Sequence, residues 1–484
     1  MLSERSVRVR IAPSPTGMMH VGTARAALFN WLFAKRYDGE YIVRIEDTDR
    51  ARSSDEFIAS ILGGLEWLGL NWDELHHQSQ RLDFHREVAA RLISSGSAYW
   101  CYCTPAELEV RRKKMRAEGL PPRYDRRCRE LPGSLEGDER PKVLRFKIPL
   151  EGDTIFQDLV HGELNTRHDE LDDFILLKSD GGASYQLANV ADDHEMQITH
   201  VIRGDDFIPS TPRQILIYEA LGWDRPQFAH LPMILGVDRS KLSKRHGATG
   251  LLEYREMGVL PEAMLNFLTL LGWAPGKGEK EELFGRDELI KRFDLSDVNS
   301  SGAVFDVEKL EWMNSHYIRG CSPERLTELC VPYFQSAGLV SDELDDPQRC
   351  YAERVLILEQ ERMRLLSEAP TLCHFFFRDD FDYDEKATSR LLKDSEVGDM
   401  LVQLQNRLEA LDEYTDIGIE AVIRELAKVR EVKAGQIIHP TRAALTGRTT
   451  GPPLFEMMAV LGRDRCIDRL RRCVGWMAGM NTSG

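Results

Sequence analysis

Two loops combine residue types that suit phosphate chemistry. The first, Pro13-Ser14-Pro15-Thr16-Gly17-Met18-Met19-His20-Val21-Gly22-Thr23, lies between a β-branched run and a helix-spaced one. A strand-to-helix turn offers unpaired backbone N–H groups and the positive end of a helix dipole, which together favour an anion. Gly17 and Gly22 allow close backbone approach, and Thr16 and His20 carry side-chain donors. The second, Lys241-Leu242-Ser243-Lys244-Arg245-His246-Gly247, places three cations and a hydroxyl just after the last strand–helix alternation. Cations set where negative charge develops are what phosphoryl or nucleotidyl transfer needs. Taken singly, His20 also reads as a histidine satisfied within its turn, and 241–247 as a solvated basic loop.

The elements around these loops alternate. Val7–Ile11 reads as a strand, Thr23–Tyr37 as a helix stopped by Gly39, and Tyr41–Ile45 as the next strand. Ser53 and Glu56 are spaced as a capping box before a helix carrying Phe57, Ile58, Ile61, Leu62 and Leu65. That order predicts an α/β fold with a Rossmann-type, doubly wound parallel sheet. Residues 86–188 break the rhythm and read as an α+β insertion. Ile198–Ile202 resumes it as a strand, followed by a helix over Pro212–Leu221 with Thr211 as cap and Gly222 as stop. From about 251 onward helical spacing dominates, as in Pro261–Leu271, Glu324–Tyr333, Asp399–Leu411 and Ile419–Val429. The expected divisions are 1–85 and 189–247 for two halves of one α/β domain, 86–188 for the insertion, 248–320 for a small helical domain and 321–484 for an all-helical C-terminal region.

With 484 residues, 42% hydrophobic and 29% charged, the chain has material for roughly three domains and is too apolar for wholesale disorder. No apolar run reaches the length of a membrane span, and the first residues lack the apolar core of a signal peptide, so a cytoplasmic protein with no membrane partner is expected. Nine cysteines argue for reduced thiols rather than a disulfide framework. The net charge of −16 speaks against nucleic acid over the surface as a whole, but charge is local. Arg111–Arg129 carries nine Lys/Arg against two Asp/Glu, and Arg424–Arg472 eleven against five. Two separated basic stretches on an acidic chain suit an extended polyanion. The arginines at 463, 465, 469, 471 and 472 also read as one solvated face of a last helix.

Together, about 220 residues apart, His20-Val21-Gly22-Thr23 and Lys241-Leu242-Ser243-Lys244-Arg245 resemble the two signature motifs of the class I aminoacyl-tRNA synthetases. Arg10-Ile11-Ala12-Pro13-Ser14-Pro15-Thr16-Gly17, Arg44-Ile45-Glu46-Asp47-Thr48-Asp49-Arg50, Gly204-Asp205-Asp206, Pro261-Glu262-Ala263-Met264-Leu265-Asn266-Phe267-Leu268, Trp312-Met313-Asn314 and Ala444-Leu445-Thr446-Gly447-Arg448 narrow the resemblance to the glutamyl-tRNA synthetase family. The resemblance implies activation of L-glutamate by ATP and Mg²⁺, then transfer to the 3′ end of tRNA-Glu, with tRNA-Gln as a second acceptor in some relatives; a monomer is expected, one chain holding one tRNA. It implies ATP contacts from Thr16, Gly17, His20, Gly22, Thr23 and Lys244, and catalytic roles for His20, Lys241, Ser243 and Lys244. Glutamate contacts fall on Arg10 and Tyr185 for the side-chain carboxylate, Asn189 and Arg203 for the α-carboxylate, and Glu46, Ser14 and Ala12 for the ammonium. Without the resemblance, Glu46 reads as a surface ion pair with Arg44 or Arg50. The insertion would take the acceptor end of tRNA, residues 248–320 its stem, and the C-terminal region the anticodon, with Arg442 and Arg448 as contacts. Cys101-x-Cys103 and Cys128-x-Glu130 match a zinc position of some relatives, which carry histidine where Glu130 stands; His161 or His168 are other candidate fourth ligands, and three reduced cysteines packed in the insertion are the metal-free reading. Thr23 and Phe207 depart from the wider pattern, at the end of the first motif and at a pocket edge where relatives carry histidine or tryptophan. A glutaminyl-type enzyme or a free-standing nucleotidyltransferase would share the sheet and phosphate loop, but neither calls for this helical tail.

Overall fold

The computed structural model describes residues 6–49, 52–131, 141–243, 245, 247–276 and 279–481. Arg50, Lys244 and His246 lie outside the described residues. The chain forms two compact units, Met1–Arg255 with Pro261–Val307, and Glu256–Leu260 with Glu308–Gly484.

In the first unit, β1 (Arg8–Ile11), β2 (Glu40–Ile45) and β3 (Glu74–His77) alternate with α1 (Val21–Arg36) and α2 (Asp55–Trp67), as the sequence pattern requires. α1 is apolar all round, and buries Val21 and every residue from Ala24 to Ala34, the signature of a helix enclosed in a core. The turn after it admits only glycine at position 39, where a Cβ would lie 2.2 Å from the Val7 carbonyl oxygen. The cap of α2 is Ser54, not Ser53: the Ser54 hydroxyl accepts from Phe57 N, whereas Ser53 Oγ donates back to the Asp49 carbonyl and closes the preceding turn. Both serines compete for local backbone groups, and the turn takes the first.

Further along come α3 (Leu82–Ser94), β4 (Ala98–Cys101), α4 (Pro105–Ala117), β5 (Val143–Phe146), β6 (Asp153–Asp158), β7 (Gly162–Arg167), β8 (Ile175–Leu177), α5 (Tyr185–Glu195), β9 (His200–Gly204), α6 (Thr211–Leu221) and β10 (Gln227–Leu231). Among the described residues the main sheet has the order β3-β2-β1-β9-β10-β6-β7. All its pairs are parallel except β6–β7, which are antiparallel. The strand order reverses between β1 and β9, which is where open α/β sheets place ligands. β6 and β7 come from within 86–188 yet extend this sheet through β10. The remaining strands of that segment form an antiparallel sheet, β4-β5-β8, whose Leu144, Phe146 and Leu176 pack with Leu92, Leu187, Ala191 and Ile217.

Two local expectations shift. β9 starts at His200 because Thr199 is drawn onto Arg8, its hydroxyl donating to the Arg8 carbonyl at 3.0 Å. Thr211 is the first residue of α6 rather than its cap, and its hydroxyl is turned inward to the site described below. Gly222 does end α6, at φ +65°.

The second unit is helical, with helices including Pro323–Ser336, Asp346–Glu359, Glu396–Glu409, Asp416–Val429, Gly435–Thr446 and Arg463–Asn481 around fully buried Phe334, Leu356, Phe376, Leu404, Ile423, Leu445 and Leu470. The reading of its last helix as one solvated arginine face holds for Arg471 and Arg472, which are exposed, but not for Arg469 and Arg465. Arg469 is 2% exposed and holds the carbonyls of Leu445, Phe375 and Arg378 and the Asp379 carboxylate. Arg465 binds the Phe376 carbonyl and Asp379. These guanidiniums satisfy carbonyls that helix ends leave unpaired.

Candidate active site

A cavity of about 530 Å³ opens where β1 and β9 part. Its walls are the strand ends (Arg10 to Ser14, Arg203 to Phe207, Leu231 to Ile234), the start of α1 (His20, Gly22, Thr23, Arg25), Glu46 after β2, Tyr185 and Asn189 of α5, and Lys241. One cavity thus gathers every residue expected to touch glutamate, together with His20, Gly22, Thr23 and Lys241. Thr16 and Gly17 lie on the adjoining loop outside its lining, Ser243 is also outside it, and Lys244 falls outside the described residues.

At the α1 end, His20 is the N-cap, and its Nδ1 accepts from Gly22 N at 3.0 Å. An accepting Nδ1 leaves the ring proton on Nε2 when the ring is neutral. Burial first, then Lys241, lower the His20 pKa. No acidic residue stands in the first turn of α1, so the helix dipole is left for an anion.

At the α5 end, Tyr185, Asn189 and Asp193 recur every four residues and share a face. Arg203 is 6% exposed. Its Nε meets His230 Nε2 at 3.2 Å, Nη1 the Tyr185 hydroxyl at 3.0 Å, and Nη2 both Thr211 Oγ1 and Gln214 Oε1 at 2.8 Å. All four partners are neutral, and burial lowers its pKa. A buried cation with neutral partners is a receptor for an anion. Arg10 differs: its Nε and Nη2 bind Asp193 Oδ1 and Oδ2 at 2.9 and 3.1 Å. Asp193 also takes Arg44 Nη1 at 2.7 Å. Burial alone would raise Asp193, but Arg10 and Arg44 hold it below the ordinary carboxylate range. Asp192 reaches about 2 in the same way, burial being outweighed by His85, Arg44 and Arg81.

Glu46 does pair with Arg44, at 3.3 Å, but in the interior and not at the surface: Glu46 is 7% exposed and Arg44 fully buried. Asn189 Nδ2 donates to the same oxygen at 3.1 Å. Burial raises the Glu46 pKa against the pull of Arg44, Asn189 and Arg10, and a cationic ligand beside it would favour the ionised form. The Phe207 ring, exposed at the cavity edge, sits 5.6 Å from Tyr185 and 5.4 Å from the Arg203 guanidinium. Arg25 binds the carbonyls of Leu271 and Pro232 and ties the start of α1 to the strand leading into 236–247.

Apart from this cavity, the ligating atoms of Cys101, Cys103 and Cys128 lie within 4.8 Å of one another. Glu130 is not with them; it is 85% exposed and pairs with Lys147 at 3.7 Å. His168 is hydrogen-bonded to Thr154 and the Glu151 carbonyl, and no group formed by the described residues brings it or His161 to the thiols. The missing corner is approached by Tyr124, whose hydroxyl takes Cys101 Sγ and Cys128 N, both at 3.2 Å, under the Arg145 guanidinium. Burial and the neighbouring Cys101 and Cys128 push the Cys103 thiol up to about 12. A divalent cation would remove that penalty, so the donor set fits a thiolate-bound metal.

The basic stretches are largely engaged. α4 buries none of its residues, but Arg111 and Arg127 bind Asp125, and Arg126 and Arg129 bind Asp173. In the second unit Arg442 Nη1 reaches the Pro452 carbonyl at 2.5 Å and Arg448 Nη1 the Thr371 carbonyl at 3.0 Å. Arg448 lines a second hollow with His374, Phe381, Asp382 and Thr446.

A largely parallel sheet with a helix N-terminus, a histidine of lowered pKa and a buried arginine with neutral partners at its switch point fits a nucleotide-handling α/β enzyme. Residues 6–312 match the family model for the catalytic domain of class I tRNA synthetases (E and Q), and residues 325–474 that for an anticodon binding domain. The chain belongs to the glutamate and glutamine class I tRNA synthetases. It is 44% identical to a glutamate–tRNA ligase from Moorella thermoacetica, over 97% of this chain and 98% of the relative. It is 46% identical to one from Geotalea uraniireducens, over 97% and 99%. The crystal structure of a glutamate tRNA ligase from Elizabethkingia meningosepticum, in complex with its amino acid, superposes with a TM-score of 0.89 at 34% identity, covering 97% of this chain and 99% of that one.

Proposed function

We propose that the chain ligates L-glutamate to the 3′ end of tRNA-Glu. An oxygen of the glutamate α-carboxylate attacks the α-phosphorus of ATP in line, and pyrophosphate leaves. A hydroxyl of the terminal ribose then attacks the glutamyl carbonyl, and AMP leaves. The observation that carries this reading is Arg203, buried with neutral partners only, in one cavity with a second arginine, a buried carboxylate and the start of α1. Two anion receptors and one cation receptor are what an amino dicarboxylate needs.

Arg203 with Asn189 takes the α-carboxylate, Arg10 with Tyr185 the side-chain carboxylate, and Glu46 with Ser14 and the Ala12 carbonyl the ammonium. His20 Nε2–H, with Thr16 and the backbone of Gly17, Gly22 and Thr23, holds the triphosphate. Lys241, Ser243 and Lys244 stabilise the leaving pyrophosphate. Catalysis rests on positioning and charge stabilisation, and Mg²⁺ arrives bound to the ATP phosphates. Cys101, Cys103 and Cys128, with Tyr124, hold a zinc ion that fastens the ends of the 101–128 segment. The exposed cations of α4 meet the acceptor arm of tRNA, and Arg442 and Arg448 meet the anticodon. One chain suffices for one tRNA, and the reaction belongs to the cytoplasm; no helix of the described residues is long and apolar enough to cross a membrane.

The test is charging of purified tRNA-Glu and tRNA-Gln with labelled glutamate and ATP. Label on tRNA-Glu supports the proposal, and label on both marks relaxed choice of tRNA. Label on neither overturns it.

A further inference from the structure

His230 lies on β10 beside Arg203 and is fully buried. Its Nδ1 stands 2.6 Å from Asp158 Oδ2, and Asp158, at the end of β6, is 4% exposed. The other Asp158 oxygen is already committed: Oδ1 accepts from Val160 N and His161 N at 3.0 Å and from His230 N at 3.3 Å. A carboxylate accepts only, so His230 Nδ1 must be the donor and Nε2 must carry the lone pair. That lone pair faces Arg203 Nε at 3.2 Å and the Thr211 hydroxyl, which Arg203 Nη2 also binds, at 3.1 Å. The rings of Phe228 and Phe156 flank the imidazole, at centroid distances of 6.3 and 6.5 Å.

We infer that Asp158 and His230 form a positioning dyad that fixes the Arg203 guanidinium for the substrate carboxylate, by locking His230 in the tautomer whose Nε2 accepts. The inference rests on the proposed role of Arg203 and extends it to two residues outside the cavity lining. Arg203 has five N–H donors. His230, Tyr185, Thr211 and Gln214 take four of them. One N–H on Nη1 then remains for a ligand, and the plane of the guanidinium is set by the bond on Nε. A protonated Nε2 would set donor against donor at Arg203 Nε and turn to the Thr211 hydroxyl instead, shifting that plane.

Asp158→Asn is isosteric and separates the two functions of the carboxylate. The amide oxygen keeps the three backbone N–H groups, so the amide nitrogen must face His230 Nδ1. The proton is thereby driven onto Nε2, towards Arg203.

In wild-type enzyme labelled with ¹⁵N-histidine, long-range proton–nitrogen correlation is expected to show His230 as the Nδ1–H tautomer; the Nε2–H tautomer or an imidazolium overturns the inference, whatever the activity. In Asp158→Asn the tautomer inverts, and KM for glutamate in tRNA charging rises about tenfold, the effect of one mispaired buried donor. KM for ATP and for tRNA stay within about twofold, as expected of sites that do not share the dyad. In an Arg203→Lys background the same change has no added effect on KM, because the residue it acts through is gone. An unchanged glutamate KM, an equal rise in all three KM values, or an additive effect in the Arg203→Lys background each sinks the dyad. Failure of the wild type to charge any tRNA with glutamate overturns the proposed function instead and leaves the tautomer reading intact.

Discussion

Burying charge and imidazole is costly, and this chain concentrates that cost near the switch point of its sheet. His200, at the start of β9, is 3% exposed, and burial lowers its pKa to about 4. In the unfolded chain the same ring titrates near ~6.5. As pH falls below that value the unfolded state gains a proton that the folded state refuses, so stability is lost between about pH 6.5 and pH 4. The loss from His200 by pH 5 is about 2 kcal/mol. His20 and His230, lowered first by burial, add in the same direction. Urea midpoints measured at pH 7 and pH 5 should therefore fall steeply, and His200→Gln should flatten the difference. A flat profile in the wild type would contradict the buried, neutral state of these rings. Glu46 shows how residue type and residue environment part company. Its Arg44 partner was legible two positions away in the sequence, but the burial that turns a surface pair into a receptor was not, because burial depends on α5 lying across the pair.

Elements show the same division. The β1–α1–β2–α2 order and the phosphate loop follow from hydrophobic period and turn residues, which are local. Asp193 had a local signal too: it stands one turn beyond Asn189 and two beyond Tyr185. Tyr124 had none, since its place beside Cys101 depends on how the 101–128 segment closes, and Glu130 was favoured because it falls where some relatives carry a histidine ligand. Metal analysis should find one zinc per chain. Cys128→Ser should lose it and destabilise the segment, and Glu130→Gln should keep it; loss on Glu130→Gln would restore the carboxylate as ligand. The helix cap gives a finer check. Ser54→Ala should cost about 1 kcal/mol of unfolding free energy, and Ser53→Ala less, since its hydroxyl closes a turn outside the helix. Equal costs would return the cap to Ser53.

On the scale of the whole molecule, an acidic chain of net charge −16 confines its cations to a few stretches, and many of those cations are already paired within the protein. Binding of tRNA should therefore depend on the few that remain exposed, and weaken steeply between low and physiological salt while KM for glutamate changes little. Lys113→Glu with Arg116→Glu on α4 should lower tRNA affinity and reduce the salt slope by about one for each cation that meets a phosphate. An unaltered slope would remove α4 from the interface. The basic count of the last helix misled because composition cannot tell a solvated arginine from one such as Arg469, which holds three carbonyls of its own unit.

The β6–β7 hairpin has a consequence for recombination. In the chain it lies between β5 and β8 of the small antiparallel sheet, yet it completes the main sheet beside β10 and brings Asp158 to His230. A chimera that exchanges residues 86–188 with a relative would transplant part of the cavity wall, Tyr185 included, along with the surface proposed to face tRNA. Junctions that leave β6, β7 and the start of α5 with the parent sheet would exchange the portion proposed to face RNA alone, so the natural seam for modular exchange runs through the segment and not around it.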